Sequence, residues 1–153
     1  MRIAIPTLLA AGTLAAIASP AVAAQGARPG CQLSLRAEAE AASFAAAGRN
    51  AAPARTQQLA RETGANFASA ASHLCASRVV TAGHLAPFSR LVIRNAEGAA
   101  EPAVYDDAEE MPGALIIEYA FVGGGAPAQA AIESALRCWR DPEREGCTEE
   151  VSP

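Results

Sequence analysis

The sequence predicts a small α+β domain: an N-terminal antiparallel helical hairpin, a small, mostly antiparallel sheet of about three strands, a C-terminal helix packed on it, and two disulfides. Three observations predict it. Two alanine-rich stretches repeat apolar residues at three- and four-residue steps, as one face of a helix requires. Later stretches alternate their side chains, or run apolar between turn signals, as strands do. Four cysteines follow an apolar N-terminal leader, a usage that fits an oxidising compartment.

Residues 1–23 read as a signal peptide. Arg2 supplies the charged start, Ile3 to Ile17 is largely apolar, Ser19-Pro20 breaks the helix, and Ala21-Val22-Ala23 has the small-x-small pattern of a cleavage site. The apolar run is too short to span a bilayer comfortably, and no stop-transfer charges follow it. The expectation is a periplasmic or secreted bacterial protein without stable membrane insertion after cleavage. Residues 24–32, with Pro29-Gly30, read as a flexible N-terminus, residues 33–147 as one α+β domain and residues 148–153 as a mobile acidic tail.

Of the 153 residues, 51% are hydrophobic, but much of that share is alanine. Bulky apolar residues are sparse, so the expected core is thin and covalent staples matter more. The four cysteines allow three connectivities. Spacing favours Cys138–Cys147 and leaves Cys31–Cys75. On the chain-entropy argument these loops contribute roughly 2.5–3 and ~4 kcal/mol. The 12 basic residues, all arginine, face 16 acidic ones for a net charge of −4. Such a balance offers no cationic stripe for phosphates, so nucleic acid is not an expected partner.

The first helix is expected from about Leu33 to Ala47, where Leu33, Ala37, Ala41 and Phe44 share a stripe that Gly48-Arg49-Asn50 ends. Pro53 suits the first turn of a second helix running to about Ala76, with Leu59, Thr63, Phe67, Ala70 and Leu74 on its inner face. Gly64 weakens that helix by up to ~1 kcal/mol relative to alanine. Antiparallel packing of the two would bring Cys31 towards Cys75. From Arg78 to Pro87 the chain reads as a connector in which Gly83 and Pro87 break any helix.

Ser89 to Asn95 reads as a strand, with Leu91 and Ile93 on one face and Arg90, Val92 and Arg94 on the other. Ala103 to Tyr105 suits a short edge strand, and Asp106 to Gly113 an acidic loop. The strongest strand signal is Ala114 to Val122, apolar on both faces and therefore expected at the centre of the sheet. Pro127 then opens the last helix, whose inner stripe is Ile132, Ala135, Leu136 and Trp139 and which Asp141-Pro142 ends.

Gly123-Gly124-Gly125 is the sharpest functional candidate, because backbone N–H groups without Cβ atoms nearby can form an anion or oxyanion site. The commoner role of such a triplet is a strand-to-helix turn. Neither a G-x-S-x-G elbow nor a phosphate-loop Lys-Ser/Thr accompanies it. His73 and His84 are the only histidines, and no spacing ties either to a nucleophile. Asp106, Asp107, Glu109 and Glu110 lack the ligand spacing of a calcium loop, and His73-x-Cys75 is too tight for a zinc knuckle. Ala131 to Pro142 resembles the last helix of the periplasmic TonB C-terminal domain. That domain places a strand before the helix where this chain has a glycine turn, and no function is carried over.

The sequence therefore assigns no catalytic residue, no metal ligand and no cofactor. It leans away from an enzyme and towards a binding or interaction module whose partner is an unspecified protein or small ligand of the cell envelope. Asp106, Asp107 and Gly123 to Gly125 are its candidate contact residues. The alternatives are a small hydrolase with the Gly123–Gly125 turn as oxyanion hole, or an inhibitor or immunity-type protein. If the leader is cleaved as expected, mass spectrometry of the exported protein will find its N-terminus at Ala24 or Gln25; an intact Met1 would overturn the export reading.

Overall fold

The computed structural model describes residues 35–46 and 52–147. The expected leader, the expected flexible N-terminus with Cys31, and the expected acidic tail lie outside the described residues. The elements run β1 (Arg36–Ala39), α1 (Ala41–Ala46), α2 (Pro53–Ala76), α3 (Ala82–Leu85), β2 (Arg90–Asn95), β3 (Ala103–Asp106), β4 (Ala114–Tyr119), α4 (Phe121–Gly124) and α5 (Gln129–Arg140). Helices and a four-stranded sheet thus combine in one mixed fold, with strand order β1-β2-β4-β3.

Three expectations are corrected. The sheet has four strands and is not mostly antiparallel: β1 pairs parallel with β2, β2 parallel with β4, and only β3 pairs antiparallel with β4. The first helix of the expected hairpin is replaced, within the described residues, by β1 and the short α1. Arg36-Ala37-Glu38-Ala39-Glu40 alternates small and charged side chains with period two, and pairing with β2 outweighs the helix propensity of alanine and glutamate. Inside the connector, Thr81 starts a single helical turn, its side chain accepting from the His84 N–H while the His84 ring accepts from the Thr81 N–H. Both expected breakers fit: Gly83 is tolerated in so short a turn, and Pro87 lies beyond it.

Where the apolar period is strong, the elements follow it. Helix α2 spans Pro53–Ala76 and buries Leu59, Thr63, Phe67, Ala70 and Leu74. Strand β4 occupies the expected interior position, with Ala114 to Ile117 buried, but ends at Tyr119 instead of Val122, because Phe121–Gly124 wind into the short α4. Helix α5 buries Ile132, Ala135 and Leu136, with Trp139 partly buried beside them. Leu91, Ile93, Val104, Leu115 and Ile117 face α2 and α5, and the buried apolar residues of every helix belong to this one cluster. The opposite face carries only a small apolar patch of Val92, Ala114 and Ile116, against which Tyr105 and Met111 pack.

Cys138 and Cys147 are bonded, with Cα atoms 5.1 Å apart, closing the segment after α5 back onto its last turn. Cys75 is not a free thiol, and its expected partner Cys31 lies outside the described residues. Gly64 has a reason to interrupt α2: a Cβ there would stand 2.8 Å from the Ala37 Cβ of β1. Gly64→Ala gains up to ~1 kcal/mol of helix propensity but overpacks this contact, at a cost of about 1–3 kcal/mol. Chemical denaturation is expected to show a net loss of stability, part of which Ala37→Gly in the same chain restores.

Candidate functional site

Of the candidate contact residues of the sequence, Asp106, Asp107, Gly124 and Gly125 are engaged by the fold, and Gly123 is exposed in α4. Asp106 ends β3, and its Oδ1 accepts a hydrogen bond from the Trp139 indole N–H at 3.0 Å, tying the sheet edge to α5. Asp107 Oδ1 accepts from the N–H groups of Glu109 and Glu110 at 3.1 and 2.9 Å, shaping the loop that follows. In the glycine triplet, the Gly124 N–H donates to Ala120 O and the Gly125 N–H to Phe121 O. Neither is turned towards an incoming anion. Gly124 also lies under Tyr119, whose hydroxyl would be 2.8 Å from an added Cβ, and Gly125 has φ +78°. Asn95 organises this end of the sheet: its Oδ1 accepts from Val122 N–H, and its own N–H donates to Ser43 Oγ, both at 3.0 Å.

Both histidines serve the fold. His73 Nδ1 lies 2.9 Å from Glu133 Oε2, joining α2 to α5, and the Gln129 amide and His73 together hold the Glu133 carboxyl below its usual pKa. His84 completes the α3 cap. Among the described residues, no three His, Cys, Asp or Glu side chains gather as metal ligands, and no helix is long and apolar enough to cross a membrane.

The helix-free face carries a polar network that touches every strand. Arg94 on β2 donates two hydrogen bonds to the Glu40 carboxylate just beyond β1, at 2.8 and 3.0 Å, and a third to the Tyr105 hydroxyl of β3 at 3.0 Å. Tyr105 in turn donates to Glu118 of β4 at 2.8 Å. Glu110 approaches Arg94 at 3.6 Å, bringing the acidic loop over this face. Beside the network, Arg90 pairs with Glu38 at 2.9 Å. The Glu40 bonds raise the Arg94 pKa still further above its usual value. Burial, then the bond to Glu118, pushes the Tyr105 phenol up to about 12. A phenol so reluctant to ionise, beside a guanidinium engaged at all three of its nitrogens, binds strands together better than it moves protons.

A further region of interest is the outer edge of β1, which sequence reasoning missed because it expected a helix there. The Arg36 N–H bonds to Ser89 O and the Glu40 N–H to Ile93 O, so Arg36, Glu38 and Glu40 direct their main chain towards β2. Ala37 and Ala39 consequently direct their N–H and C=O groups away from the sheet, where none has a backbone partner among the described residues. That edge borders a groove of about 600 Å³ between β1 and α2. Ala39, Phe44 and Ala60 give it an apolar floor, and Gln57, Arg36 and Arg61 stand at its rim. The available signal was the period-two alternation of residues 36–40.

Two variants separate the structural role of the network from any catalytic one. Arg94→Lys keeps the charge but loses the paired geometry, and is expected to cost roughly 1–3 kcal/mol in denaturation. Tyr105 has its folded pKa raised from 10.0 to about 12, so its contribution to stability is complete below pH 10 and is lost as pH rises towards 12. A tyrosinate absorbance titration of the folded protein is therefore expected to show one late ionisation that Tyr105→Phe lacks. No protein-family model matches this sequence, and neither a curated protein nor a solved structure matches it.

Proposed function

We propose that this chain is a small exported, disulfide-stabilised bacterial domain that binds a partner in the cell envelope without catalysing a reaction. The N-terminal signal-peptide pattern and the Cys138–Cys147 bridge support the exported half of that reading. The binding half rests on the open edge of β1 beside its groove, where the main-chain groups of Ala37 and Ala39 have no backbone partner among the described residues. Edge strands invite pairing, and a chain that leaves one open next to a shaped groove has a ready docking site. The hydrolase alternative gains nothing from the glycine turn, whose Gly124 and Gly125 N–H groups are spent on the turn itself.

The test is site-specific photo-crosslinking in the full chain expressed in an exporting bacterium, with the crosslinker at Gln57 on the groove rim or at Gln129, the first residue of α5. The reading expects a saturable adduct from Gln57 that excess unlabelled protein competes away, with none from Gln129. Equal adducts from both positions, or none from Gln57, would overturn it.

A further inference from the structure

We infer that the β1 edge accepts an extended acidic peptide segment as a fifth strand, laid in the groove against α2. The inference rests on the binding-module reading and gives that site a partner class. Geometry supplies the first part of the argument. Ala37 and Ala39 offer two outward N–H and two outward C=O groups, enough for four main-chain hydrogen bonds with an added strand. Their small side chains leave room against Phe44 and Ala60 for one face of that strand. Main-chain pairing of this kind supplies affinity, and the side chains flanking it supply selectivity.

Charge supplies the second part. Three charged residues line the groove: Arg36, Glu38 and Arg61. Glu38 is engaged by Arg90 at 2.9 Å. Arg36 and Arg61 are exposed and have no ion-pair partner among the described residues. Arg36 occupies the register row of Arg90, on the helix-free side, while Arg61 projects from α2 on the other. An added strand would thus meet a guanidinium from each face, on a chain whose net charge is −4. A second copy of this chain meeting the edge would bring its own Arg36 and Arg61, with its Glu38 already committed to Arg90. An acidic strand brings what the two arginines lack.

The experiment titrates the full oxidised chain with a capped heptapeptide alternating valine and glutamate, with its valine–lysine counterpart, and with a backbone N-methylated glutamate version, read by amide chemical shifts and amide hydrogen exchange. Expected are shifts confined to residues 36–39 and the facing turns of α2, slowed exchange at Ala37 and Ala39, and binding at least about tenfold tighter for the glutamate than for the lysine peptide. N-methylation is expected to abolish the effect, and Arg36→Glu with Arg61→Glu to invert the charge preference while circular dichroism stays unchanged. Equal affinity for both charges, unimpaired binding of the N-methylated peptide, or a sedimenting dimer that Arg36→Glu dissolves would overturn the proposal. Should no peptide bind while the Gln57 crosslink persists, the acidic-strand assignment fails and the binding-module reading stands. Loss of both removes the reading itself.

Discussion

One guanidinium ties the sheet together. Arg94 reaches Glu40 at the end of β1 and Tyr105 on β3, and Tyr105 passes the connection to Glu118 on β4. All four strands therefore meet at one partly buried cluster on the face that no helix covers. Without it, that face would hold the patch of Val92, Ala114 and Ile116, with Met111 beside it, and the Arg90–Glu38 pair between β1 and β2. Charge-assisted bonds of this kind are directional, so they fix which strand lies where as well as adding stability.

The placement of β1 depends on that cluster more than any other element does. Its four residues bury little apolar area of their own, since Ala37 and Ala39 are the side chains it turns towards the helices. It is held by parallel pairing to β2, by Glu38 to Arg90 and Glu40 to Arg94 on one side, and by the close Ala37–Gly64 approach on the other. A bulkier residue at either contact would lift the strand from α2. The small residues that make it a weak core element let it seat tightly on the helix, and among the described residues its outer edge has no backbone partner beside the groove.

Towards the β3 edge of the sheet, on the same face as α2, α5 is secured by different means. Ile132 and Leu136 enter the shared core, the Trp139 indole bonds to Asp106 at the end of β3, and Cys138 is bridged to Cys147. The Trp139 ring also meets Phe88 edge-on, with centroids 5.9 Å apart. With so few bulky side chains available, one aromatic and one disulfide supply the anchoring that a larger core would give elsewhere.

The sequence determined the elements whose pattern is unambiguous: the α2 boundaries and inner face, the two-faced alternation of β2, the interior position of β4 and the stripe of α5. Apolar spacing alone dictates each of these, because only one periodicity buries the bulky residues present. Tertiary structure decided the rest. Residues 36–40 satisfy a helix by composition and a strand by alternation, and the choice falls to β2, a partner more than fifty residues away whose Arg90 and Arg94 supply the matching charges. Parallel pairing, the insertion of β4 between β2 and β3, and the consumption of the Gly124 and Gly125 N–H groups by their own turn are likewise long-range or geometric outcomes. Local propensity is set by neighbours along the chain, whereas an open strand edge exists only once every other strand has found its place.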